Sequence, residues 1–325
     1  MTRNVRAALL CLGSLLFLCA CSTTLQIDKL RQSAGWDKLP RCEVDNVPFF
    51  PQQEYQCGPA ALATLLKWAG VPVTPDDLVP LVYVPERQGS FQAEMVAAAR
   101  YYDRIPFVIK PGFPALLDEL KAGHPVLVFQ NLGLDWIPRW HYAVVTGMDP
   151  ANDEIMLNSG TIQQHVISLE TFERTWRRAK LWAMVVMRPG EMPASVTPLQ
   201  YVKAVAYFER KGKLALADTA YRAAVKRWPR SLVSLMALGN VCYLRGQLQQ
   251  AQQFYRQVLD VKRDYAPAHN NLAQVLMEQG NLTAAQRHAQ QAVQLGGEYV
   301  ASYRDTLSHI EQRLASVPSD DSTGH

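Results

Sequence analysis

Gly212, Gly246 and Gly280 stand 34 residues apart, and two further columns, Leu214, Leu248, Leu282 and Ala217, Ala251, Ala285, keep the same phase. Columns held in register this way constrain the fold more than any composition value. A period of that length holds one helix, a glycine turn and a second helix, and a single hairpin cannot bury its apolar face alone, so neighbours must stack. Alanine then falls where the two helices touch, and Tyr221 and Tyr255 follow one turn onward. Leu238-Gly239 in the second unit and Pro229 closing the first obey the same grammar, whereas Ala289 and Gly297 break it in the third, as a worn terminal unit would.

This pattern resembles the tetratricopeptide repeat (TPR). The resemblance implies an all-α solenoid over residues 198–299, a capping helix over 300–314 and a disordered tail over 315–325. It also implies a protein partner. Asn240, Asn270 and Asn271 lie near positions that such repeats use for peptide contacts, and a solvated helix face would carry the same residues.

Residues 45–188 follow a different grammar, with the proline-rich stretch 189–197 as a linker. Helices are expected at Ala60–Ala69, stopped by Gly70, at Gln92–Tyr102, and at Ala115–Ala122 ahead of Gly123. Short β-branched or aromatic runs follow at Pro125–Gln130, His141–Thr146, Glu154–Leu157 and Trp182–Met187, bounded by turn signals such as Asp149-Pro150 and Ser159-Gly160. Helices first and an antiparallel sheet after is α+β order, in which a thiol on a helix can pack against a histidine on a strand.

The first residues read as a targeting segment. Arg3 and Arg6 precede an apolar run, Ala7 to Ala20, that is too short to span a bilayer and of signal-peptide length. Leu18-Cys19-Ala20-Cys21 resembles the bacterial lipobox, which implies a signal peptide over 1–20, lipidation of Cys21 and a tether over 21–44. Ser22 stands where an aspartate would resemble an inner-membrane retention signal, so the expected address is the periplasmic face of the outer membrane. Of the six cysteines, Cys42, Cys57 and Cys242 then remain in the folded part, an odd set with at least one free thiol, and a Cys42–Cys57 disulfide would block the latter. A formal charge of +4, which falls when Arg3 and Arg6 leave, gives no nucleic-acid footprint. No C-x-x-C pair or H-E-x-x-H run suggests a metal, and no cofactor is expected.

Cys57 is the candidate nucleophile. It directly precedes Gly58-Pro59 and an apolar helical run, and unsatisfied N–H groups with the positive end of a helix dipole favour a thiolate there. Gln52 upstream can join the Cys57 backbone N–H in an oxyanion hole. His141, opening an apolar strand, is the candidate base, and Asn158, ending the next strand, is the candidate orienter, with Asp149 or Asp153 as alternatives. Arg87-Gln88-Gly89-Ser90 reads as a loop that lines a groove or as a helix cap at Ser90, and Trp136 and Trp140 frame a loop near the thiol.

Gln52-x4-Cys57-Gly-Pro-Ala-Ala-Leu-Ala, His141-Tyr-Ala-Val-Val-x-Gly-x-Asp149 and the strand ending at Asn158 resemble the bacteriocin-processing cysteine peptidases, family 39, in their stand-alone C39-like branch, over residues 45–187. The resemblance implies a papain-like α+β domain in which the thiol attacks a peptide carbonyl, histidine acts as base and an aspartate orients it; Asn158 occupies the aspartate's place. The expected protein is a lipid-anchored cysteine peptidase whose repeats recruit a protein substrate or partner. Two other functions fit in part. One is hydrolysis of peptidoglycan cross-links, whose enzymes usually set cysteine between aspartate and serine-glycine, a context missing here. The other is a catalytically silent TPR scaffold.

Overall fold

A computed structural model describes residues 26–52 and 56–316. The expected signal segment, Cys21 and nearly all of the expected tail lie outside the described residues. In chain order the elements of the first part are α1 (Gln26–Arg31), β1 (Cys42–Glu43), α2 (Cys57–Trp68), α3 (Pro75–Val82), α4 (Gln92–Tyr101), β2 (Ile105–Val108), α5 (Phe113–Lys121), β3 (Val126–Asn131), β4 (Trp140–Asp149), β5 (Glu154–Ser159), β6 (Ile162–Ser168), α6 (Leu169–Arg178) and β7 (Ala183–Met187). Seven helices follow: α7 (Pro198–Arg210), α8 (Leu214–Arg227), α9 (Leu232–Leu244), α10 (Leu248–Val261), α11 (Ala266–Glu278), α12 (Leu282–Leu295) and α13 (Val300–Ala315). No described helix is long and apolar enough to cross a membrane.

The sheet runs in the order β2-β7-β3-β4-β5-β6, with β1 paired to β4. β4 is buried from Tyr142 onward and pairs antiparallel with β3 (Gln130 opposite His141) and β5 (Val144 opposite Asn158). A continuous apolar run of this kind marks a strand covered on both faces. A register shift between Val145 and Gly147 bends it. Gly147 is required at that point, since a Cβ there would lie 2.7 Å from the Cys42 carbonyl oxygen. At the far edge β6 is mostly exposed, as an edge strand can be when one side faces water. Behind the sheet, Phe113, Phe172 and Trp176 form an aromatic cluster with ring centroids 5.2 to 5.9 Å apart.

The chain forms two compact units whose segments interleave in sequence. Of the described residues, the first takes those up to 65, 74–90 and 108–184, and the second 66–73, 91–107 and those from 185 onward. Within the second, Phe107 stacks on Tyr201 at 5.5 Å, the Arg100 guanidinium lies 4.6 Å from the Tyr207 ring centroid, Lys213 pairs with Asp103, and Arg188 donates to the Trp68 and Ala69 carbonyls. Segments read from sequence as part of the sheet domain thus cluster with the repeats.

The repeat helices keep their period: α7, α9, α11 and α13 begin at 198, 232, 266 and 300, and α8, α10 and α12 at 214, 248 and 282. Gly212, Gly246 and Gly280 have φ of +72°, +71° and +80°, the left-handed residue that ends the first helix of each pair. Ala217, Ala251 and Ala285 are fully buried, as are Tyr221 and Ala289.

The expected helices and strands form with ends shifted by a few residues, but α1, α3, α6, β1, β2 and β6 were not foreseen. Ser90 is not a helix cap: α4 begins at Gln92 after Phe91, and the Ser90 carbonyl accepts from the Tyr142 hydroxyl at 3.2 Å.

Candidate active site

Cys57 is the first residue of α2. The chain can start a helix there because Gly58 and Pro59 occupy the first turn, where proline's missing N–H is no loss. The half-buried thiol receives backbone contacts from Tyr142, Gly58 and its own amide, but burial outweighs them and pushes its pKa up. This corrects the expectation of a resting thiolate. The helix end supplies N–H groups as expected; the apolar surroundings disfavour the charge more strongly.

The contact with Tyr142 places the sulfur beside the strand residue that follows His141. Gln52 converges on the same point, its side-chain amide donating to the Tyr142 carbonyl at 3.3 Å and its backbone N–H to the Gly160 carbonyl at 3.0 Å. Three of the residues singled out from sequence, Gln52, Cys57 and His141, are therefore gathered around one stretch of β4.

Asn158 is not the partner of His141. Strand alternation explains why: with Val144 opposite Asn158, residues 142, 144 and 158 share one face of the sheet, and 141, 143 and 159 share the other. The His141 Nε2 lies 2.9 Å from Ser159 Oγ. Asn158 instead donates to the Pro48 carbonyl at 3.3 Å and accepts the Gln164 N–H at 3.1 Å. Neither alternative serves. Asp149, at the opposite end of β4, accepts from the Asn152 backbone and side chain, and Asp153 pairs with Arg31. Ser159 was overlooked: counted back from the turn at Asp149–Glu154, alternation puts Asn158 on the His141 face, and the register shift between Val145 and Gly147 brings Ser159 there instead.

Burial, aided by the positive charge of Arg139, lowers the His141 pKa to about 4. The imidazole is therefore neutral near pH 7. In the tautomer that carries its proton on Nε2 and donates it to Ser159 Oγ, Nδ1 keeps a lone pair that can take a proton; Ser159 fixes the ring but brings no charge to stabilise an imidazolium. Cys42, Cys57 and Cys242 are free. Cys42 pairs with Met148 in register, about 20 Å along β4 from Tyr142 at ~3.3 Å per residue, so the feared disulfide is out of reach. Among the described residues no cluster of three or more metal-ligating side chains occurs.

The loop between β3 and β4 is braced from within. Asn131 Oδ1 accepts the Gly133 and Arg139 N–H groups, at 2.9 and 2.8 Å, and Arg178 Nη1 donates to the Gly133 carbonyl at 2.8 Å. Trp140 stacks on Phe129 at 5.1 Å and Trp136 projects into solvent, 74% exposed.

The model of the Peptidase_C39 like family matches residues 44–184, and two tetratricopeptide-repeat models match 239–280 and 270–298. An uncharacterized protein of Methanothermobacter thermautotrophicus is 30% identical over 145 residues, 45% of this chain and 91% of that protein. Among solved structures, the peptidase domain of Streptococcus ComA, a bi-functional ABC transporter involved in a quorum sensing pathway, shares 23% identity at a TM-score of 0.37, covering 44% of this chain and 99% of that one. The first TPR domain of human RPAP3 shares 17% at a TM-score of 0.34, covering 37% of this chain and 93% of that one. The span from the residues before Cys57 to the strand after His141 is thus matched as a unit: residues 44–184 form a Peptidase_C39-like domain, with tetratricopeptide repeats behind it.

Proposed function

We propose that the protein is a cysteine peptidase, anchored through Cys21 at the periplasmic face of the outer membrane, that cleaves a peptide bond in a substrate or partner recruited by its repeats. The observation that carries this reading is the convergence of Cys57 and Gln52 on Tyr142, beside a His141 ring fixed by Ser159. The thiol proton passes to His141 Nδ1 as sulfur bonds to the carbonyl carbon. The resulting oxyanion is met by the Cys57 backbone N–H and by the second amide hydrogen of Gln52, the first being given to Tyr142. As the tetrahedral species collapses, the C–N bond breaks and the imidazolium protonates the leaving amine. Water, deprotonated by the same ring, then hydrolyses the thioester and restores the thiol. Because thiol and imidazole are both neutral at rest, proton transfer accompanies attack, and substrate burial supplies part of the driving force.

The raised thiol pKa also favours a second reading, a silent scaffold in which the repeats do the binding. A peptide library and a peptidyl chloromethyl ketone separate the two. The peptidase reading expects cleavage and alkylation of Cys57, with turnover falling about 10²–10⁴-fold in His141→Ala. A thiol inert to the ketone in the folded wild type, with no library peptide cut, supports the scaffold.

A further inference from the structure

We infer that the loop between β3 and β4 docks on the lipid bilayer, setting the candidate active site at the membrane surface; the inference rests on the proposed lipidation of Cys21. Leu132, Leu134, Trp136 and Ile137 on the eight-residue loop 132–139, and Trp140 at the start of β4, are each between 48% and 74% exposed. Such a patch normally marks a surface with a partner. The loop's shape is fixed without that partner: a Cβ at Gly133 would fall 2.3 Å from the Ile137 carbonyl oxygen, and Asn131 and Arg178 hold its backbone. Large side chains are therefore presented outward by a rigid frame, at no ordering cost on binding.

The tether selects the occupant. Cys21 lies five residues before Gln26, so its Cα is within ~18 Å of Gln26 whatever path the chain takes. Gln26 and Ile27 are pinned in turn, their N–H groups donating to the buried Glu173 carboxylate at 2.7 and 2.8 Å. Glu173 and Arg178 are five residues apart on α6, ~7.5 Å along its axis, and Arg178 is the residue that holds the loop. An acyl chain on Cys21 thus holds this end of α6, and the loop that Arg178 braces, within reach of the bilayer. Tryptophan favours the headgroup boundary, and exposed Lys29, Arg139 and Lys180 suit anionic headgroups, outnumbering the loop's one carboxylate, Asp135, while Arg174 is paired with Glu170. His141 follows Trp140 directly, so peptides at the membrane surface would reach it first.

The test uses the full chain, purified with its lipid and reconstituted into phosphatidylethanolamine–phosphatidylglycerol vesicles whose acyl chains carry bromine, a contact quencher of tryptophan. Quenching is expected, and Ile137→Asp, which leaves every tryptophan in place, should reduce it about twofold or more by lifting the tip out of the boundary. Palmitate labelling lost in Cys21→Ala reads the anchor separately. Labelled protein without quenching, or with quenching that Ile137→Asp leaves unchanged, overturns docking and spares the anchor. Unlabelled protein whose tryptophans are still quenched supports docking and removes the anchor reading; unlabelled and unquenched protein removes both. A photo-crosslinker at position 136 that captures polypeptide rather than lipid also overturns the proposal.

Discussion

His141 owes its state to what surrounds it: burial and Arg139 bring its pKa from 6.5 to about 4. The unfolded chain therefore binds more protons than the folded one between those values, so stability rises with pH across that window and is lost as pH falls through it. His141→Gln should flatten this slope in urea titrations from pH 6.5 to 4. The ring's partner gives a second prediction. Ser159→Ala should leave stability nearly unchanged and reduce alkylation of Cys57 by a peptidyl chloromethyl ketone about tenfold, equivalent to ~1.4 kcal/mol. Asn158→Ala should do the reverse, costing about 1–3 kcal/mol of stability through the orphaned Pro48 carbonyl and Gln164 N–H, with reactivity per folded molecule retained. Thermal melts and probe labelling on both variants decide which residue serves the ring. The gathering of Cys57, His141 and Gln52 around β4 was legible because each sits in a local pattern. Ser159 was not, because its role depends on strand parity across a hairpin, and the charge states were not, because burial is a tertiary property.

At the level of elements, periodicity was the dependable guide. The repeat helices recur every 34 residues because each glycine turn resets the chain, and that signal survives without any alignment. Two of the unforeseen elements lack such a signal: β1 is two residues long, and β6, a sheet edge, carries Gln163-Gln164-His165 where a central strand would be apolar. A tighter constraint lies between α9 and α10. A Cβ on Gly239 would meet the Tyr255 ring at 2.6 Å, while the Tyr255 hydroxyl donates to Asn240 at 2.8 Å and cannot retreat freely. Gly239→Ala is expected to cost about 1–3 kcal/mol through overpacking, read as a lower melting temperature. In the third repeat Ala273 and Ala289 hold the corresponding columns, both fully buried, so the smaller ring-free pair makes room for a Cβ.

For the whole molecule, the two sequence grammars map onto a sheet region and a helical region, but the compact units cut across them. Residues 66–73 and 91–107 belong with the repeats. A chain cut at the 189–197 linker would leave the Phe107, Arg100 and Asp103 side chains without Tyr201, Tyr207 and Lys213. Such a truncation should melt lower and bind more hydrophobic dye than the full chain, and an unchanged melt would show that the two grammars fold independently. Interleaving of this sort is hidden from composition, since nothing local marks Phe107 as a residue whose neighbour lies 94 positions later.

The distance that keeps Cys42 from Cys57 has a chemical sequel. An oxidant that reaches the Cys57 sulfur forms a sulfenic acid, and among the described residues no second thiol stands close enough to resolve it, Cys42 being held opposite Met148 and Cys242 buried in α9. Recovery must then come from outside, by a small thiol or a reductase that first forms a mixed disulfide, so the redox poise of the surroundings, rather than an internal staple, sets how much of this protein keeps Cys57 as a free thiol.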